Sequence, residues 1–373
     1  MPSSLINYLT AVQFGAGAVS ELPGILQQHR VRRPLLVTDR GLADLGMVER
    51  LPIEVAAVFT DVPTNPTEQS VLAGVVAFRE NDCDGIVALG GGSPIDCAKA
   101  ISILATHPEP LDQYALIRGG LAEITAQKPP VIAVPTTSGT GSEAGRGALI
   151  SFPSGEKLAL ISPHVLPTAA VCDPELTLGL PPLLTAATGM DAISHCVETF
   201  CSPKINPVAD AIALDGLARA FGSIRAAVND GSNLHHRSEM MMASLQGGLT
   251  FQKGLGMIHS LSHPLGALPG KPLHHGTLNA IFLPHVLRFN AEACPEKLDR
   301  MADAMKSGEG RNLPAAFERL IADIGLPSRL SELGVTEADM EGIPQLAMAD
   351  HSTPSNPREM TLDDCRNVLR LSM

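Results

Sequence analysis

Between Gly254 and His285 the chain reads GLGMIHSLSHPLGALPGKPLHHGTLNAIFLPH, placing five of its twelve histidines in an otherwise apolar stretch. His259 and His263 are spaced i, i+4, so on a helix they share one face. Upstream, after Pro181 and Pro182, the run LLTAATGMDAISHCVETF sets Asp191 and His195 at the same spacing in a second apolar segment. An Asp buried beside a His is costly unless it is paired or bound to a metal. One carboxylate with three neutral imidazoles suits a divalent first-row metal, Fe²⁺ or Zn²⁺, and leaves a further imidazole to move protons.

Those residues need helices to hold them. From about residue 183 onward the pattern is helical, with candidate helices at 183–201, 207–228, 237–250, 253–267, 276–291, 294–306, 313–323 and 361–370. The first half instead alternates β-branched runs (35–38, 54–59, 85–89, 131–135) with amphipathic stretches, the rhythm of βαβ units and a largely parallel sheet. The Pro-rich stretch VCDPELTLGLPPL at 171–183 separates the two patterns. The expected architecture is an α/β N-terminal dinucleotide-binding domain, Rossmann-like with a parallel sheet, over residues 1–178. An all-α C-terminal helical domain carrying the metal and catalytic residues follows over 179–373, and a cleft between the two is the expected binding site.

The first domain has its own chemistry. GIVALGGGSPIDCAKA at 85–100 reads strand, glycine turn, helix, and Gly90, Gly91 and Gly92 let backbone approach an anion at a helix N-terminus. PTTSGTGSEAG at 135–145 follows another strand with hydroxyls and glycines that suit a nucleotide pocket. FGAGAVS at 14–20 echoes GxGxxG weakly, with Ser20 in the third position, and a simple turn is the better reading. Asp39 ends the strand LLVTD, where a carboxylate accepts from ribose hydroxyls and repels a 2′-phosphate, favouring NAD over NADP; it serves equally as an N-cap.

Taken together these residues resemble the iron-containing (group III) alcohol dehydrogenase family across nearly the whole chain. The resemblance rests on VTD at 37–39, DVPTNPT at 61–67, GGGSPID at 90–96, PTTSGTGSE at 135–143, GMDAISH at 189–195, HSLSHPLGA at 259–267, HHG at 274–276 and TPSNPRE at 353–359. It implies a dehydroquinate synthase-like architecture. It also implies reversible hydride transfer between NAD(H) and a small primary alcohol or aldehyde, with Fe²⁺ as the metal and Zn²⁺ as the alternative. By the same matching, Asp191, His195, His259 and His275 hold the metal while His263 is the catalytic imidazole near the nicotinamide. Asp39, Asn65, Gly91, Gly92, Ser93, Asp96, Thr136, Thr137 and Lys157 would line the dinucleotide site, and His285 falls outside the ligand set. A cytoplasmic homodimer is implied as well. A non-redox sugar-phosphate cyclase of the dehydroquinate synthase type and a hydroxyacid-oxoacid transhydrogenase are the competing activities, the first disfavoured because no cationic cluster lies beside the metal motifs.

Composition narrows the partners. A formal net charge of −12 without a Lys/Arg block disfavours nucleic acid and anionic membranes, and an aromatic content of 3% without Trp leaves no base-stacking platform. No long apolar run suggests a membrane span. Seven cysteines without a CxxC pair point to a reducing compartment, with Cys196 and Cys201 as core thiols. Lys253, before His259, is expected on a solvated helix face, or else near an anionic substrate.

Overall fold

The computed structural model describes residues 8, 10–268, 270–306 and 312–373. The chain divides into two units: Tyr8–Thr137 with Gly141–Thr177, and Leu178–Met373 with the short segment Ser138–Thr140.

The first unit is α/β. Its strands are β1 (Ala11–Phe14), β2 (Pro34–Val37), β3 (Ala57–Phe59), β4 (Gly85–Gly90), β5 (Val131–Pro135), β6 (Gly147–Ser151), β7 (Lys157–Ile161) and β8 (Ala169–Cys172). Six form one sheet in the order β1-β8-β5-β4-β2-β3, and every pairing in it is parallel. Strands β6 and β7 form a separate antiparallel hairpin. Four helices belong here: α1 (Leu22–Gln28), α2 (Arg40–Asp44), α3 (Glu68–Glu80) and α4 (Gly92–Leu104). Strand β4 is buried at every position, as a central strand covered on both faces must be. Chain order reverses across β2: β3 lies on one side and β4 on the other. Ligands of open α/β sheets bind beyond the carboxyl ends of the strands at such a switch point.

Strands β6, β7 and β8 escape the sequence expectation. β8 is AAVC, poor in β-branched residues, and β1 is a half-exposed edge. The FGAGAVS segment is a turn whose amides are already used. The N–H groups of Gly17 and Val19 donate to the Asp173 carboxylate at 3.2 and 3.0 Å.

The second unit is helical: α5 (Pro182–Cys201), α6 (Pro207–Asn229), α7 (Leu234–Leu249), α8 (Met257–Gly266), α9 (His275–Asn290), α10 (Pro295–Met305), α11 (Leu313–Asp323), α12 (Ile343–Ala349) and α13 (Leu362–Leu371). Helix α5 is buried from Thr185 to Cys201 and packs against α6, α7 and α9, which makes it the axis of the unit. The helix α12 lies outside the expected set. The expected helix beginning at 253 starts at Met257 instead, because Phe251–Lys253 forms a 3₁₀ turn and Gly254 follows with φ of 79°. No helix among the described residues is long and apolar enough to cross a membrane.

Candidate metal and dinucleotide sites

Helix α5 presents Asp191 and His195 one turn apart, and α8 and α9 bring His259 and His275 to the same carboxylate. From Asp191 Oδ1 the Nε2 atoms of His195, His259 and His275 lie at 3.4, 3.6 and 3.6 Å. Ligands about 2.1 Å from a tetrahedral metal stand roughly 3.4 Å apart, so this spacing fits a first-row cation. Asp191, His195 and His259 are buried and close together on all sides, while His275 stands at the rim with 29% of its side chain exposed. His275 reaches Asp191 because its neighbour is glycine. A Cβ on Gly276 would fall 2.0 Å from the Ala187 carbonyl oxygen, so any side chain would push α9 off α5.

Two of the imidazoles are aimed by their outer nitrogens. His195 Nδ1 pairs with the Gly139 carbonyl at 3.2 Å, and His259 Nδ1 with Glu198 Oε2 at 2.5 Å. Glu198 Oε1 meanwhile accepts the Ile258 N–H at 2.7 Å, locking the start of α8 to α5. Outer partners of this kind fix the tautomer that offers Nε2 inward. Sequence reasoning missed Glu198, yet 191, 195 and 198 follow i, i+4, i+7 on one buried helix face.

Asn279, one turn beyond His275, was also missed. Its Nδ2 donates to Asp191 Oδ1 at 2.8 Å and lies 3.2 Å from Nε2 of both His259 and His275, while its own Oδ1 is buried without a partner. Two amide protons cannot serve three acceptors fully, and a buried orphan oxygen costs desolvation. The cluster therefore has acceptors in excess, which is what a divalent cation requires.

The electrostatics agree. Burial pushes the Asp191 carboxyl up, but His195, His259 and His275 outweigh it and hold the group well below the usual carboxylate range. Burial lowers His195 to about 4 despite Asp191, so this imidazole is neutral at pH 7. His259 is lowered by burial, yet Glu198 and Asp191 more than compensate and raise it to about 9. Without a cation that ring keeps its proton at pH 7, and its Nε2 would join the acceptors only when a cation takes the proton's place, the ordinary coupling of metal binding to deprotonation.

His263 lies beside this cluster. Its ring stacks on His275 with centroids 5.4 Å apart, and its Nδ1 meets Asp350 Oδ2 at 2.8 Å. Burial lowers His263 to about 4 against the pull of Asp350, leaving it neutral. His285 lies farther along α9 and is only partly buried.

In the α/β unit, Asp39, Gly91 to Ser93, Thr136 and Thr137 follow the carboxyl ends of β2, β4 and β5, while Asn65 lies after β3 and Lys157 begins β7. Gly91 caps α4, and the Thr136 N–H donates to the Gly90 carbonyl at 3.0 Å. Gly90 has φ of 147°, and a Cβ there would meet Pro94 at 2.6 Å, so only glycine makes this turn into α4. Asp39 caps α2 by accepting the Leu42 N–H at 2.9 Å. Lys157 Nζ donates to Asn65 at 3.0 Å, and Ser93 donates to the Thr64 carbonyl. Thr137 lines the same turn, its Oγ1 lying 3.2 Å from where a Cβ on Gly91 would be. Asp96 is already committed, accepting from Ser142 Oγ at 2.5 Å and the Leu149 N–H at 2.9 Å. Behind it the buried Lys99 ammonium donates to Ser142 Oγ and to the carbonyls of Ser142, Gly145 and Gly147 at 2.7 to 3.1 Å.

Lys253 corrects an expectation. It is neither on a solvated face nor beside the imidazoles: its side chain is fully buried, its Nζ paired with Asp210 and donating to the Phe200 carbonyl at 3.3 Å. The 3₁₀ turn folds it inward, so it anchors the α5–α6 corner.

Comparison with known proteins covers both units. A family described as iron-containing alcohol dehydrogenase matches residues 10–174, and the C-terminal Fe-containing alcohol dehydrogenase family matches residues 185–373. The chain is 50% identical to a 4-hydroxybutyrate dehydrogenase of Cupriavidus necator over 99% of its own length and 100% of the relative's. It is 40% identical to a 1,3-propanediol dehydrogenase of Klebsiella pneumoniae, covering 96% of this chain and 95% of that one. Among solved structures, a sulfoacetaldehyde reductase of Bifidobacterium kashiwanohense in complex with NAD⁺ superposes with a TM-score of 0.89 at 28% identity, covering 99% of both chains.

Proposed function

Because the chain belongs to the iron-containing alcohol dehydrogenase family, and so is an oxidoreductase of alcohols and aldehydes, we propose that it interconverts a small primary alcohol and its aldehyde with NAD(H). The metal is Fe²⁺, with Zn²⁺ able to take its place. The carrying observation is the surplus of inward-facing acceptors on Asp191, His259 and His275 around a single amide, with His195 Nε2 3.4 Å from the same carboxylate. Asp191, His195, His259 and His275 would hold the cation, which would supply Lewis acidity toward the substrate oxygen, and the dinucleotide would supply the hydride acceptor.

The protein's own residues do the rest. Gly139 and Glu198 hold the two imidazoles in the tautomer that offers Nε2. His263, neutral and oriented through Nδ1 by Asp350, accepts the alcohol proton at Nε2 and passes it on. In the α/β unit, the α4 N-terminus behind Gly91 and Gly92, with Ser93, Thr136 and Thr137, receives the pyrophosphate. Asn65 and Lys157 line the same cofactor, and Asp39 at the switch point selects NAD over NADP. Asp96 supports that loop from behind.

The substrate class follows from the relatives. A 4-hydroxybutyrate dehydrogenase and a sulfoacetaldehyde reductase are both named for substrates that carry an anionic group, and we assign this chain a short ω-hydroxy acid and its semialdehyde. All seven cysteines are unpaired, which supports a reducing cytoplasmic setting; the functional form is assigned as a homodimer. The test is anaerobic: load the protein with Fe²⁺ and follow NADH consumption against short aldehydes, half of them carboxylated. Preference for the carboxylated half supports the assignment, equal rates overturn its anionic part, and no turnover with metal and NADH bound overturns the dehydrogenase reading. His263→Ala should slow turnover while metal content stays intact; parallel loss of both would remove its proton-transfer role.

A further inference from the structure

Beside the Asp191 cluster lies a second group of metal-ligating side chains that the reaction above uses only in part. His263, Asp350 and His351 each offer one ligand atom, and the three atoms lie within 4.8 Å of one another. Asp350 is the hinge of the group: Oδ2 meets His263 Nδ1 at 2.8 Å, and Oδ1 lies 3.7 Å from His351 Nδ1. The two rings lie nearly parallel, centroids 5.5 Å apart at 14°, so both Nδ1 atoms flank one carboxylate. A backbone N–H, that of Ser352, fixes Asp350 Oδ1 at 2.8 Å. Exposure grades outward, from 7% for the His263 side chain through 11% for Asp350 to 21% for His351, which gives a cation a path in from solvent.

We propose that His263, Asp350 and His351 form a second divalent-cation site, separate from the Asp191 cluster, that takes a nitrogen-seeking ion such as Zn²⁺ and inhibits the enzyme when filled. Two imidazoles and a carboxylate suit Zn²⁺, with water completing the shell, whereas Mg²⁺ and Ca²⁺ favour all-oxygen sites. Asp350 stays ionised for the purpose, since burial raises its carboxyl but His263 and His351 hold it well below the usual range. Coordination through His263 Nδ1 moves that ring's proton from Nδ1 to Nε2 with no net gain or loss. The Nε2 lone pair is then gone, and His263 can no longer accept a proton. This inhibitory arm rests on the His263 reading above; occupation of the site does not.

Zinc content separates the two. Metal-free full-length protein is dialysed against buffered micromolar Zn²⁺, and zinc per chain is counted by mass spectrometry for the wild type, His351→Ala and His351→Gln. The wild type should hold one zinc more per chain than either variant, whose affinity for that ion should fall by at least the roughly 10–100-fold that losing an outer partner of a ligand costs. Equal zinc in wild type and variants overturns the site, and loss of both ions from the variants would show one shared cluster rather than two sites. Turnover of the Fe²⁺-loaded enzyme is then followed with added Zn²⁺. The wild type should be inhibited and His351→Ala spared, and exchange at the first site would affect both alike. A second zinc bound without inhibition keeps the site and overturns the proton-acceptor role of His263.

Discussion

Two buried polar clusters, one in each unit, follow opposite rules. Around Lys99 the buried ammonium meets four oxygens, and the neighbouring Asp96 carboxylate accepts from Ser142 and Leu149. The three ammonium protons are shared among those four oxygens and Ser142 Oγ donates onward to Asp96, so the two opposite charges are matched and the closed network braces the loop after β5. Around Asp191 the balance fails: a carboxylate oxygen and two imidazole nitrogens crowd one amide whose own oxygen is orphaned. A satisfied cluster is architecture, while one with surplus acceptors turned inward is a place for a ligand.

Asp191→Asn breaks the open cluster and should have the largest effect, removing both bound metal and turnover while thermal unfolding of the metal-free protein moves little. Metal analysis beside a melting curve checks it. Lys99→Met breaks the closed cluster and should do the reverse, costing about 3–5 kcal/mol of stability by stranding buried acceptors, with metal stoichiometry unchanged; denaturant unfolding measures it. Glu198→Gln leaves the ligands and disturbs only the aim of His259, so metal affinity should fall about 10–100-fold, readable by chelator competition. The smallest effect belongs to Glu143, whose carboxyl burial raises from 4.5 to about 7 against the pull of Lys99. Folded protein binds this proton more tightly than unfolded chain, so the contribution is complete below about pH 4.5 and is lost as pH rises through about 7. Glu143→Gln should flatten that part of the melting temperature's pH dependence. A mutant curve parallel to wild type would remove Glu143 from the account.

The open cluster was far more legible in the sequence than the closed one. Asp191 with His195, and His259 with His263, announce themselves by i, i+4 spacing in apolar helices, and the α/β rhythm gave way to helix where the two units divide. Glu198 and Asn279 sat at helical spacing from recognised residues but are types with many ordinary roles. Asp350 and His351 join the histidines only through the packing of α12 against α8, which no local pattern encodes. Lys253 misled because a charged residue among loop formers reads as surface; the 3₁₀ turn that buries it, and its partner Asp210 on α6, are tertiary facts.

Gly276 carries that lesson into mutagenesis. Its missing side chain is what lets α9 rest against the backbone of α5, so every substitution there displaces His275 without altering a ligand. In a saturating scan scored by activity, position 276 should therefore rank with His195, His259 and His275, and Gly222, where a Cβ meets nothing, should not. A residue with no functional group will look like part of the active centre, because it fixes where one begins.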